Sequence, residues 1–196
     1  LIGAVNTIVN REGKLVGYNT DGLGLVRGLK DELNFMPTGK DVVLLGAGGA
    51  ARAAIVALAQ SEVSSITIVN RTLQSADKLV QEFGELFPDV RLAACPLEDR
   101  SVSEAMSKAD LLVNSTSVGL HGESFPVPLI EHLRAGALLY DMVYAPELTP
   151  LQQSAVEHDV SFADGRSMLA GQGEEAFSLW FGSAPPAQVM RDQVAK

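Results

Sequence analysis

One glycine-rich stretch, Gly46-Ala47-Gly48-Gly49-Ala50-Ala51, constrains this chain more than any other feature. It follows a wholly apolar run, Val42-Val43-Leu44-Leu45, and opens an Ala-rich segment that extends to Ala59. Such an apolar run reads as a parallel strand buried on both faces. The glycines match G-x-G-x-x-G/A, with Ala51 in the last small position. The first glycine permits a tight turn, the second lets backbone approach a pyrophosphate, and the small third residue brings helix close to strand. Phosphates placed there meet free N–H groups and the favourable end of a helix dipole. Gly46, Ala47, Gly48, Gly49 and Ala50 are therefore the expected cradle of a dinucleotide.

The rest of the chain supplies the context this motif needs. Residues 4–10 and 15–19 are β-rich and flank Arg11-Glu12-Gly13-Lys14, which predicts a hairpin. Thr20 or Asp21 can cap a helix with Leu25, Val26 and Leu29 on its apolar face, ending before Pro37. After the glycine loop, strands are expected at 66–69, 90–94, 111–113, 138–143 and 160–162. Helices are expected at 75–83, 103–108, 151–157 and 168–180, with a short final helix after Pro185-Pro186. Alternating strands and helices imply an α/β fold, a Rossmann-like doubly wound parallel sheet with right-handed crossovers.

The end of the second sheet strand bears on the cofactor. NAD sites place Asp or Glu there to hold the ribose hydroxyls. This strand ends in Asn70-Arg71-Thr72, with a guanidinium and no acid. Arg71 can pair with a 2′-phosphate and Thr72 can donate a hydroxyl hydrogen bond, so NADP is expected over NAD.

Composition narrows the remaining classes. The net charge of -9 argues against nucleic acid or an anionic membrane as partner, because phosphate binding needs clustered Lys and Arg. The single cysteine, Cys95, excludes an internal disulfide and any CxxC metal site. His121, His132 and His158 lack metal-ligand spacing. Arg52 interrupts the longest apolar stretch, residues 42–59, so a transmembrane helix is not expected. The first residues lack a signal-peptide pattern and read as a strand entered partway without an initiating Met. A fragment of a cytoplasmic protein is expected.

Several further motifs, taken in order, carry a resemblance. Gly3-Ala4-Val5-Asn6-Thr7, Tyr18-Asn19-Thr20-Asp21-Gly22, Asn70-Arg71-Thr72, Asn114-Ser115-Thr116-Ser117-Val118-Gly119, Asp141-Met142-Val143-Tyr144 and Met168-Leu169 with Gln172 join the glycine loop. Together they resemble the shikimate dehydrogenases. The resemblance implies reversible NADPH-dependent reduction of 3-dehydroshikimate to shikimate in aromatic amino-acid synthesis. It implies that Asn6, Asp21, Tyr144 and Gln172 contact substrate, with Asp21 catalytic as the partner of a lysine. It implies that Met142 and Gly165 line the nicotinamide and that Thr116 and Ser117 lie beside the cofactor. Taken alone, Asp21 reads as a helix cap, Asn6 as a strand amide and Tyr144 as an interfacial ring. Only the combined pattern raises them.

The resemblance also defines expected departures. Residues 1–21 correspond to the end of a truncated N-terminal substrate domain, 22–163 to the NADP-binding domain, and 164–196 to a helical segment returning to the substrate side. The six lysines, Lys14, Lys30, Lys40, Lys78, Lys108 and Lys196, lie outside the family's catalytic motif. The chain alone is therefore expected to bind cofactor and turn over poorly. Ser75 stands where many members carry a further Arg, and Ser167 where many carry Gly. Ile2, Val5, Ile8 and Phe177 are expected on an exposed apolar face. The competing readings are an NAD-dependent quinate/shikimate dehydrogenase and a non-catalytic Rossmann module. The oligomeric expectation is a monomer or homodimer.

Overall fold

The structure is a computed structural model and describes residues 1–194. The chain opens with a separate antiparallel hairpin, β1 (Thr7–Arg11) and β2 (Lys14–Tyr18), which turns through Glu12 and Gly13, both at positive φ. A helix, α1 (Asp21–Leu33), leads into the main sheet. That sheet has six parallel strands: β3 (Asp41–Leu45), β4 (Ser65–Asn70), β5 (Arg91–Pro96), β6 (Leu111–Asn114), β7 (Leu138–Asp141) and β8 (Phe162–Asp164). Their order is β5-β4-β3-β6-β7-β8, so the chain winds outward from β3 and then returns beside it. The intervening helices are α2 (Gly49–Gln60), α3 (Leu73–Leu86), α4 (Asp99–Met106) and α5 (Pro150–Glu157). The chain ends in α6 (Arg166–Phe181) and α7 (Ala187–Val194).

The apolar run of β3 is buried on both faces because successive side chains point to opposite sides. Val42 and Leu44 join the core with Leu25 and Leu29 of α1, Ile55 and Leu58 of α2, and Phe83 of α3. Val43 and Leu45 join the opposite core with Met106 of α4 and Leu151 and Ala155 of α5. Both faces of the sheet are thus covered. Among the described residues, no helix is long and apolar enough to cross a membrane.

The glycines of α1 explain how two other helices approach it. A Cβ at Gly22 would lie 2.9 Å from the Ala57 Cβ and 3.0 Å from the Ala53 carbonyl oxygen. One at Gly24 would lie 2.6 Å from the Met168 carbonyl oxygen, and one at Gly28 2.4 Å from the Tyr140 hydroxyl. Each glycine weakens an isolated helix by about 1 kcal/mol. Here that loss is offset by seating α1 against α2 and α6. Leu25 and Leu29 are buried as the periodicity predicts, and Val26 is half-buried.

Several expected boundaries move. β1 starts at Thr7 rather than residue 4, because residues 1–6 bond to other parts of the chain. α4 starts at Asp99, four residues before the expected 103. β8 lies two residues beyond its expected place, because pairing with β7 sets Phe162, Ala163 and Asp164 opposite Leu139, Tyr140 and Asp141. β7 itself stops at Asp141, where the carboxylate turns to bind the following loop. Val5 and Ile8 are exposed as expected, joined by Leu15, Trp180 and Phe181, whereas Ile2 and Phe177 are half-covered. Ile2 packs on the core, and the Phe177 ring lies tilted at 43° against Phe181 with centroids 4.5 Å apart.

Candidate functional site

The expected cofactor residues gather at the C-terminal edge of the parallel sheet. The chain reverses its winding direction between β3 and β6, and ligands of open α/β sheets bind in the crevice at such a point. Gly46 follows β3 at φ +103, a conformation that favours glycine. A Cβ there would lie 2.9 Å from Thr116 Cγ2 and 3.0 Å from Ser115 Oγ. Its N–H donates to the Val69 carbonyl at 2.9 Å, which places Asn70 beside it. A Cβ on Gly48 would meet nothing within 4 Å, so the loop faces open space. α2 begins at Gly49 with no side chain capping it. Open space before a helix N-terminus free of side-chain caps is what a dinucleotide pyrophosphate requires. The residues present therefore fit such a group.

The neighbouring strand ends build the walls. Ser115 is tied to β3 through its hydroxyl, which donates to the Leu45 carbonyl at 2.6 Å. Thr116 donates from its N–H and its hydroxyl to Asn114 Oδ1, at 3.0 and 2.7 Å. Its hydroxyl oxygen in turn accepts from the Val118 N–H at 3.1 Å. Ser117 is exposed on the same loop. Arg71 and Thr72 are exposed at the end of β4, and Asn70 Nδ2 braces that corner by donating to the Thr72 carbonyl at 2.9 Å. Met142 follows β7 and Gly165 follows β8. A Cβ on Gly165 would fall 2.1 Å from the Met142 carbonyl oxygen and 3.2 Å from Tyr144 Cδ1, so only glycine permits this approach.

The expected substrate residues converge from distant parts of the chain. Asn6 Nδ2 donates to Asp21 Oδ1 at 2.7 Å and to Gln172 Oε1 at 3.2 Å, a contact across 166 positions. Its Oδ1 accepts from the Thr20 N–H and the Thr7 hydroxyl, both at 3.0 Å. Asn19 Nδ2 donates to Asp21 Oδ2 at 3.5 Å and to the Ala4 carbonyl at 3.3 Å. Asp21 does not cap α1. It is the first helical residue, Thr20 occupies the cap position, and no side chain caps the helix there. The Asp21 carboxylate instead faces the amides of Asn6 and Asn19. Ala4, two residues before Asn6, lies beside the glycine loop: a Cβ on Gly49 would sit 3.7 Å from its Cβ. Tyr144, largely exposed, is the member not drawn into this cluster, and it makes no hydrogen bond to Asn6, Asp21 or Gln172.

Two further residues, present in the sequence motifs without an assigned role, make contacts around the site. Asp141 is fully buried and accepts four hydrogen bonds. Oδ1 receives Asn114 Nδ2 at 2.8 Å and the Val143 N–H at 3.1 Å. Oδ2 receives the Thr149 hydroxyl at 2.8 Å and Gln152 Nε2 at 3.1 Å. Burial pushes its carboxyl above the usual Asp value, and these bonds oppose the shift. The knot joins the loops after β6 and β7 to α5, whose N-terminus carries a Thr149–Gln152 capping box. The signals were present: a lone acid in an apolar strand, and T-x-x-Q ahead of a helix. The second residue is Arg52, whose contacts are taken up below.

Ser167, the expected departure from glycine, has a local purpose. Its Oγ lies 3.0 Å from the hydroxyl of buried Tyr140 and gives that phenol a partner. Cys95 is buried, and burial pushes its thiol up, which favours the protonated form.

Known proteins share this sequence pattern and fold. Residues 30–121 match the family described as shikimate / quinate 5-dehydrogenase, and residues 165–195 match the shikimate 5'-dehydrogenase C-terminal domain. A shikimate dehydrogenase (NADP(+)) of Geobacter sp. (strain M21) is 44% identical over 195 residues, covering 100% of this chain and 67% of the relative. A Listeria monocytogenes shikimate 5-dehydrogenase, solved with shikimate and NAD, superposes with TM-score 0.88 at 32% identity over 98% of this chain and 68% of that one. The Thermus thermophilus enzyme, solved with NADP(H) and shikimate, gives TM-score 0.83 at 37% identity over 99% of this chain and 68% of that one. With 44% identity over its whole length to a shikimate dehydrogenase and the same fold as solved members, this chain belongs to the shikimate dehydrogenase family.

Proposed function

We propose that this chain carries the cofactor site and part of the substrate site of an NADP-dependent shikimate dehydrogenase, which interconverts 3-dehydroshikimate and shikimate. The observation that carries this reading is the hydrogen-bonded meeting of Asn6, Asp21 and Gln172 on a segment that also lies beside the glycine loop. When bound, the nicotinamide accepts or supplies the hydride. The residues of this chain bind, orient and handle the proton.

Gly46–Ala50 and the start of α2 hold the pyrophosphate, and Thr116 and Ser117 line its side. Arg71 and Thr72 hold the 2′-phosphate, with Asn70 bracing the corner. Met142 and Gly165 form the wall behind the nicotinamide. Asn6 and Gln172 present amide groups to substrate hydroxyls, and Tyr144, beside Gly165 in the loop after β7, supplies a further substrate contact. Ketone reduction leaves an alkoxide, so a proton must arrive from a positioned group. Asp21 orients that donor. Family resemblance makes the donor a lysine. The hydrogen bonds of the Asp21 side chain run to Asn6 and Asn19, and no lysine is ion-paired to it among the described residues. These 196 residues on their own are therefore expected to bind NADPH and turn shikimate over poorly. The hairpin region 1–21 and segment 164–196 form the substrate side, and 22–163 the cofactor side. An association state of monomer or homodimer and a cytoplasmic setting accompany this reading.

An NAD-dependent quinate/shikimate dehydrogenase is the competing assignment, and the absence of an acid after β4 speaks against it. The test is binding of NADPH and NADH to the wild-type chain and to Arg71→Asp. Wild type is expected to prefer NADPH, and the variant to lose NADPH affinity far more than NADH affinity. Equal losses would overturn the cofactor assignment.

A further inference from the structure

Arg52 stands in the first turn of α2, three residues after Gly49. A cation there opposes the helix dipole unless it serves the phosphates. Its guanidinium does not point that way. Nε donates to the Ile2 carbonyl at 2.5 Å, Nη1 donates to Glu82 Oε2 at 2.9 Å, and Nη2 pairs with Glu82 Oε1. The carbon of the guanidinium lies 5.0 Å from the Phe83 ring centroid, a cation–π distance. Gly3 passes so close, at φ +72, that a Cβ would sit 2.6 Å from Nη2. One side chain thus joins the phosphate helix α2, the helix α3 behind the Arg71 corner, and the segment that leads to Asn6.

That segment is short and tethered at each step. The Ile2 carbonyl is held by Arg52, the Ala4 carbonyl by Asn19 Nδ2, and the Asn6 N–H donates to the Tyr18 carbonyl at 3.1 Å. Asn6 then reaches Asp21 and Gln172. Its place relative to the glycine loop depends on where Ile2 is fixed. We propose that Arg52 is a positioning residue that sets Asn6, and through it the substrate contacts, against the cofactor-binding helix. Lysine cannot replace it, because a single ammonium lacks the planar fork that grips a carboxylate and a carbonyl together. The inference rests on reading Asn6, Asp21 and Gln172 as substrate contacts.

The test uses Arg52→Lys, which keeps the charge near the phosphates, together with Glu82→Gln, Asn6→Ala and the Arg52→Lys/Asn6→Ala double variant. Dissociation constants for shikimate, with NADP⁺ present, and for NADPH alone are measured separately. Arg52→Lys is expected to weaken shikimate about tenfold, and to add nothing in the Asn6→Ala background, since both act through one contact. NADPH affinity is expected to stay within about twofold, a split that a generally loosened fold would not give. Hydrogen exchange supplies a readout independent of any ligand. In Arg52→Lys the Asn6 and Thr20 amides are expected to exchange about tenfold faster, with residues 42–45 unchanged. Glu82→Gln, which removes the carboxylate partner and leaves Arg52 in place, is expected to move shikimate affinity and exchange in the same direction by less. It decides the matter should Arg52→Lys fail to fold. Unchanged shikimate affinity and exchange in a folded Arg52→Lys protein, or additive losses in the double variant, overturn the proposal. Should the wild-type chain bind NADPH and not shikimate, the exchange arm decides: unchanged Asn6 and Thr20 exchange in a folded Arg52→Lys protein overturns the proposal, and faster exchange confined to that segment supports it.

Discussion

Gly165→Ala probes the tightest backbone approach in the site. The added Cβ would lie 2.1 Å from the Met142 carbonyl oxygen and 2.8 Å from its carbon. A carbon–oxygen contact relaxes at about 3.3 Å, so one backbone must retreat by roughly 1.2 Å. Neither side yields freely. The Met142 N–H donates to the Asn114 carbonyl at 2.9 Å, and the Gly165 carbonyl accepts from the Leu169 N–H at 2.9 Å in the first turn of α6. Overpacking costs about 1–3 kcal/mol, and a clash with backbone on both sides belongs to the upper half, roughly 2–3 kcal/mol. A chain of this size loses about 2–4 °C of Tm per kcal/mol, so a fall of roughly 4–12 °C is expected by circular dichroism. With Met142 and Gly165 walling the nicotinamide as proposed, the same displacement moves that wall by about 1 Å, enough to cost at least about tenfold in NADPH affinity by fluorescence titration. A variant with Tm within about 1 °C of wild type and unchanged NADPH affinity would refute the reasoning.

Other expectations follow from buried polar groups and from the hairpin. Burial pushes the Tyr140 phenol up to about 12. The folded state therefore keeps a proton that the unfolded chain gives up near pH 10, so this group's contribution is intact below about pH 10 and is lost, by roughly 2–3 kcal/mol in all, as pH rises to about 12. Urea unfolding at about pH 9 and about pH 11.5 should show this loss, and Tyr140→Phe should lose about that much less over the same range. Asp141→Ala orphans the Val143 N–H and the Thr149 hydroxyl, while the Asn114 and Gln152 amides keep the Val118 and Val143 carbonyls, and at about 1–3 kcal/mol for each orphaned donor should cost roughly 2–5 kcal/mol in urea unfolding at neutral pH, against near-neutrality if the knot is dispensable. Trp180 Nε1 donates to the Ile8 carbonyl at 3.0 Å, so Trp180→Phe should speed exchange in the hairpin while β3 stays protected.

What was legible in the sequence was what is local. The run at residues 42–45, the glycine turn and the Ala-rich helix follow one another along the chain, and each residue's preference agrees with its neighbours'. The doubly wound sheet then follows from alternation and handedness. Short polar elements were less legible. α4 has eight residues and a mixed pattern, so its start was misplaced, and β8 took its register from β7 rather than from its own residues. Arg52 was visible only as a charge that interrupts an apolar stretch. Nothing in the sequence told that its partners were Ile2 and Glu82, because those contacts span 50 and 30 positions.

The sequence by itself determined the sheet, the cofactor crevice and the class of nucleotide that fits it, since a strand, a glycine turn and a helix start are set by backbone sterics and near-neighbour periodicity. Tertiary structure decided the substrate side. Asn6, Asp21 and Gln172 each have a structural reading when taken alone, and they meet only when α1 packs on α6 through Gly24 and Gly171 and the segment before the hairpin lies beside the glycine loop. The physical reason is range. Backbone preference acts over a few residues, whereas a cluster of polar side chains from opposite ends of a chain exists only where packing of distant apolar and small surfaces has already brought their backbones together.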